Sequence, residues 1–111
     1  MERHELGGRR VAELICRPDE RASIAERSAD EKRWLSLFFS AKESVYKCVY
    51  PILEEFLEFH EVRIVPDEQR QEFAVVFDHA GAKVLDLARR LEGRFAFIGE
   101  HLYTSAYLSA R

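Results

Sequence analysis

The chain has 111 residues, 47% apolar and 33% charged, which suits one ordinary globular domain and not a disordered chain. A formal net charge of −3 gives no general pull toward nucleic acid or an anionic membrane, and no apolar run approaches the roughly 20 residues that span a bilayer. Two cysteines, Cys16 and Cys48, make no disulfide framework, and the charged opening MERHELGGRR lacks the apolar segment of a secretory leader, so reduced thiols in a cytoplasmic protein are expected.

No internal repeat, low-complexity stretch or long Gly/Ser/Pro linker divides the chain, so residues 1–111 are read as a single domain. Residues 9–16 (RRVAELIC) predict a short helix that stops near Arg17-Pro18, because the residue before a proline disfavours the helical backbone. Residues 19–27 (DERASIAER) predict a second short helix with acids at its start. Ser28 or Asp30 can cap the next helix, and Glu31 stands three residues after Ser28, as a capping box requires. That helix is expected to run to about Tyr50, with Pro51 kinking or ending it, and to be buried nearly all round.

From His60 the period shortens. HEVRIV and QEFAVVF are rich in β-formers and are separated by the polar PDEQR, which predicts a hairpin. AGAKVLDLARRLEG predicts a helix closed by Gly93, from the spacing of Val84, Leu87, Ala88 and Leu91. RFAFIG and HLYTSAYLS predict a second hairpin that turns near Gly99-Glu100. The expected fold is α+β, one long helix packed on a small antiparallel sheet.

The segment FSAKESVYKCVYP carries the chemistry. Lys42, Glu43 and Lys47 fall within about 140° of one helix face, and no other charge occurs from Trp34 to Leu53. Spacing leaves two readings open. One is a solvated Glu-Lys pair worth a few tenths of a kcal/mol. The other is a site, with two ammonium groups for phosphates and a carboxylate for a divalent metal such as magnesium.

Phe39-Ser40-Ala41-Lys42-Glu43-Ser44 followed by Lys47 resembles the signature of the 4′-phosphopantetheinyl transferases. That signature is an aromatic residue, a small polar residue, any residue, Lys-Glu, a small residue, two more residues and Lys. WLSLF before it, VYP after it, FHEVRI, Gly93-Arg94-Phe95 and His101-Leu102-Tyr103-Thr104-Ser105-Ala106 are similar to the enterobactin-synthetase-component-D branch of the Sfp-type enzymes. The resemblance covers most of the chain and matches the C-terminal half of such an enzyme. It implies transfer of the phosphopantetheine arm of coenzyme A to a serine of an acyl or peptidyl carrier protein. By the resemblance, Glu43 is a magnesium ligand and helps deprotonate the carrier serine, Lys47 holds the pyrophosphate, and Lys42 adds a second phosphate contact.

The family also supplies acids from an upstream Gly-x-Asp-x-Glu-like motif, which is absent here; its final acid is matched by Glu2 as a second metal ligand. The expected state is therefore a half that is completed by a missing N-terminal half or by a homo-oligomer. The alternative is a non-catalytic truncated half that binds a partner. His4, His60, His79 and His101 show no metal-ligand spacing, and Ser40 and Ser44 have no positioned histidine base. Cys48, Phe38, Phe39, Tyr46 and Tyr50 are read as packing residues, and Arg27, Lys32 and Arg33 as a candidate docking patch for an acidic carrier. No nucleic-acid or membrane partner is expected.

Overall fold

The computed structural model describes residues 9–27, 31–54, 57–78 and 82–109. Helices α1 (Arg9–Ile15) and α2 (Pro18–Arg27) meet at a sharp joint. Pro18 ends the first and opens the second, since its missing N–H costs nothing at a first helical position. Glu20 then falls at the third position, where its carboxylate accepts the Arg17 backbone N–H at 2.8 Å, the backward half of a capping box. The capping box expected at Ser28 lies outside the described residues.

Helix α3 (Glu31–Leu53) has 23 residues and so spans about 34 Å. Trp34, Phe38, Ala41, Val45 and Val49 recur at helical spacing and are buried, as are Leu35, Leu37, Lys42 and Leu53. Each large apolar side chain so buried contributes about 1.5–3 kcal/mol. The helix is less enclosed than expected: Glu43, Lys47 and Tyr50 are exposed, and Ser36, Phe39, Ser40, Ser44 and Tyr46 are half-buried. The helix also passes through Pro51 to Leu53. It closes at Glu54, whose left-handed backbone (φ 56°) lets its N–H reach the Tyr50 carbonyl at 2.7 Å.

His60 and Glu61 belong to a 3-10 turn (Phe59–Glu61), not to the first strand. Strands β1 (Val62–Asp67) and β2 (Glu72–Phe77) form the first hairpin, and β3 (Leu91–Ile98) and β4 (His101–Leu108) the second. All pairs are antiparallel, in the order β1-β2-β3-β4, so the two hairpins make one sheet. Pro66 lies within β1, which an edge strand tolerates because one side of it makes no ladder bonds. Val62, Ile64, Phe73, Phe77, Leu91 and Phe95 face inward beneath α3. Trp34 meets Phe95 and Phe97 edge-on, with centroids 6.4 and 5.7 Å apart, and pins the start of α3 to β3.

Helix α4 (Ala82–Arg90) joins β2 to β3. It ends three residues before Gly93, which is therefore not its cap. Gly93 instead pairs with Phe73 at the short β2–β3 seam, where only Glu72↔Arg94 and Phe73↔Gly93 are in register. The Phe73 ring lies across Gly93, and a Cβ there would overlap it. The turn of the second hairpin is at Gly99-Glu100 as expected, with Gly99 at φ 62°. Among the described residues, no helix is long and apolar enough to cross a membrane.

Gly93→Ala is expected to destabilise the fold by about 1–3 kcal/mol, as overpacking does. Urea unfolding measures this, and a second change, Phe73→Leu, should recover part of the loss. An unchanged midpoint for Gly93→Ala would show that the ring does not cover this position.

Candidate active site on helix α3

The expected face of three charges is in fact two. Lys42 is 2% exposed and turned inward. Its ammonium donates to the Ile15 carbonyl (2.8 Å), to Glu20 Oε1 (2.7 Å) and to the Phe59 carbonyl (2.8 Å). An ammonium has three hydrogens, and these acceptors use all of them. The expectation that Lys42 supplies a second phosphate contact is therefore corrected: the side chain is committed to the interior. Burial lowers its pKa below the ordinary lysine value, and Glu20 opposes that shift.

Glu20, which the sequence reading did not single out, is the partner. It too is 2% exposed. Its Oε1 accepts from Arg17 N and Lys42, and its Oε2 accepts from Ile64 N at 2.6 Å. The signal available in the sequence was its place two residues after Pro18, where a helix-opening carboxylate turns back on its own backbone. Cys16 lies in the same core, fully buried; desolvation, then the charge of Glu20, push its thiol up to about 12. Cys48 is also raised by burial, so neither thiol is activated.

Glu43 and Lys47, one turn apart, are exposed on α3. Among the described residues no hydrogen bond or ion pair engages either side chain. Two cavities meet at Glu43. One, of about 250 Å³, is a mostly apolar slot lined by Tyr46, Leu57, Glu58, Phe59 and Val62 beside Lys42 and Glu43. The other, of about 360 Å³, is a groove lined by Ser36, Phe39, Ser40, Glu43, Ser44, Lys47 and Leu102, in which hydroxyl and charged groups stand among apolar surface. Glu43 alone borders both. Beneath the groove, Thr104 Oγ1 lies 2.7 Å from Ser40 Oγ and 2.9 Å from Ser44 Oγ, which holds β4 against α3.

The remaining candidates separate. Glu2, expected as a second metal ligand, lies outside the described residues, as do His4, His79 and the side chain of Arg27. Lys32 and Arg33 border another groove with Phe97 and Leu102, and the Arg33 guanidinium stacks 4.0 Å over the Phe97 ring. Phe38 is core, Phe39 and Tyr46 line cavities, and Tyr50 is 44% exposed. His60 bonds the Glu13 carbonyl through Nε2 at 2.8 Å, and His101 is exposed at the second hairpin. A wider groove of about 620 Å³ lies on the β1–β2 hairpin beside Leu91–Gly93; its borders carry Asp67, Glu68, Glu72 and Glu92 against one arginine, Arg70, an excess of the wrong charge for phosphate.

Among the described residues no group of three or more His, Cys, Asp or Glu converges as a metal cluster. The donor presented to the groove is the single hard carboxylate of Glu43. Such a donor suits magnesium that is held mainly by substrate phosphates and water.

Two stability experiments separate the neighbours. Lys42→Met leaves Glu20 buried and unpaired and is expected to cost about 3–5 kcal/mol, whereas exposed Glu43→Ala should change stability by no more than about 0.5 kcal/mol. Similar urea midpoints for the two variants would contradict the inward position of Lys42. For Cys16, the unfolded thiol ionises near pH 9.0 and the folded one near 12. Its contribution to stability is thus complete below pH 9.0 and is lost as pH rises toward 12, by up to about 1.4 kcal/mol per pH unit. The stability advantage of wild type over Cys16→Ala should shrink across that window; parallel pH profiles would refute it.

A search of the curated proteins and a search of the solved structures each returned no match. The family model of the 4′-phosphopantetheinyl transferase superfamily matches residues 1–98. With most of the chain matched and the α+β fold in place, the protein belongs to the 4′-phosphopantetheinyl transferase superfamily, whose reaction is phosphopantetheinyl transfer.

Proposed function

We propose that this chain transfers the 4′-phosphopantetheine arm of coenzyme A to a serine of an acyl or peptidyl carrier protein, as the C-terminal half of an Sfp-type, enterobactin-synthetase-component-D-like transferase. The observation that carries the reading is the position of Glu43 at the junction of an apolar slot and a groove that holds Lys47 and three serines. Coenzyme A has that same division, an arm of modest polarity joined to a charged pyrophosphate.

In this reading the arm lies along Tyr46, Leu57 and Phe59, and the pyrophosphate lies over Lys47. The carrier serine oxygen bonds to the β-phosphorus as the bond to 3′,5′-ADP breaks. Glu43 takes the serine proton, directly or through water. Lys47, a compact charge without a competing carboxylate among the described residues, stabilises the charge gathering on the leaving group. Magnesium, when bound, would be held by Glu43 and the phosphates, with Glu2 as a further ligand, and would spread that charge over the pyrophosphate. Lys42 takes no direct part.

A specific observation also favours the alternative, a non-catalytic half that binds a partner: only one carboxylate is presented to the groove among the described residues. Completion by a second copy or by an N-terminal half resolves this within the transferase reading.

The test is mass spectrometry of an apo-carrier protein incubated with the chain, coenzyme A and magnesium. Wild type should add the phosphopantetheine mass, and Glu43→Ala and Lys47→Met should each slow the addition by about 10²–10³-fold. Modification at equal rates by wild type and Glu43→Ala would defeat the assignment of Glu43. No modification by any of them, with the N-terminal half of a related enzyme supplied, would leave the non-catalytic alternative standing.

A further inference from the structure

We propose that Lys42 is a positioning residue: through Phe59 and through its partner Glu20 it holds the Leu57–Val62 wall against α3 and so shapes the slot beside Glu43. That the slot receives the arm of coenzyme A rests on the transferase reading above; that Lys42 builds the wall does not.

One wall of the slot is Leu57, Glu58, Phe59 and Val62; the other is α3, through Glu43 and Tyr46. Lys42 and Glu20 tie into this wall and the strand after it at two points. The Phe59 carbonyl accepts from Lys42, and the Ile64 N–H, two residues beyond Val62, donates to Glu20. Lys42 and Glu20 are 2.7 Å apart, so both points are fastened to one ion pair. A further pair of tethers, Arg17 Nη1 to the His60 carbonyl at 3.0 Å and His60 Nε2 with the Glu13 carbonyl, comes from the ends of α1 and α2. Those ends are themselves set by the same pair, through the Ile15 carbonyl and the Arg17 N–H.

Direct contact between Lys42 and a phosphate does not fit this arrangement. Its hydrogens are all donated inward and the side chain is 2% exposed. Releasing it to a ligand would leave the Glu20 carboxylate buried without its counter-charge. Lys42 therefore acts on the reaction through the shape of the slot.

The experiment compares the full chain with one double variant. Lys42→Met alone risks unfolding, so the double variant Glu20→Gln/Lys42→Met removes both charges and keeps an amide acceptor for Ile64 N. Hydrogen exchange is followed in the folded double variant. Amides of 57–62 should exchange about tenfold faster than in wild type while those of the β3–β4 hairpin keep their rate. In the carrier assay KM for coenzyme A should rise about tenfold with kcat changed less than about twofold, the pattern of lost ground-state binding. Unchanged exchange in 57–62, or a fall in kcat at constant KM, overturns the proposal. If wild type, with the N-terminal half of a related enzyme supplied, neither binds nor uses coenzyme A, the transferase reading fails, and the exchange comparison still decides whether Lys42 holds the wall.

Discussion

A lysine and a glutamate 2.7 Å apart, both nearly sealed from water, set the arrangement of this domain. Removing two such ions from water costs several kcal/mol each, and that cost is offset only where hydrogen bonds complete both shells. Here they do: Lys42 has three acceptors, and Glu20 accepts from Lys42 and from two backbone N–H groups. An apolar pair of equal volume would stabilise the core about as well. It would not impose direction. The ion pair joins the end of α1, the start of α2, the middle of α3, the 3-10 turn and β1 in one register.

That register decides what α3 shows to solvent. Each helical residue turns by about 100°, so an inward Lys42 places Glu43 toward the surface, and Lys47 follows one turn later. The inner lysine and the outer acid are consequences of a single rotation. The Ser40–Thr104–Ser44 contacts secure the same rotation from the β4 side. The Trp34, Phe95 and Phe97 rings secure it nearer the helix start.

The sequence made the long helix, both hairpins and the α+β class legible, because periods of 3.6 and 2 depend on local burial and that burial is strong here. It was silent on depth around the helix. A helical wheel places Lys42 beside Glu43 but cannot tell that the side it leans toward is closed by α1, α2 and the 3-10 turn. The sequence hinted at the capping role of Glu20 beside Pro18 but not at its burial with Lys42 and Ile64, which are 22 and 44 residues away. Gly93 was misread as a helix stop because a glycine after an amphipathic stretch ordinarily caps it. What requires glycine there is the Phe73 ring, brought in from another strand.

On the transferase reading, the shape of the site has a consequence for how it is completed. Electrostatic help to phosphoryl transfer is strongest where water is excluded. On that reading the slot lays Tyr46, Leu57 and Phe59 along the arm. The groove over Lys47 is open to water, since Lys47 and Glu43 are both exposed. It also continues along α3, through Ser36 and Leu102, toward Lys32 and Arg33. A surface that covers this groove would dry the pyrophosphate and bring the carrier serine beside Glu43 in one step. On the transferase reading, the domain would thus supply the pocket for the arm from its own residues and leave the reacting phosphate to be enclosed by what docks along α3.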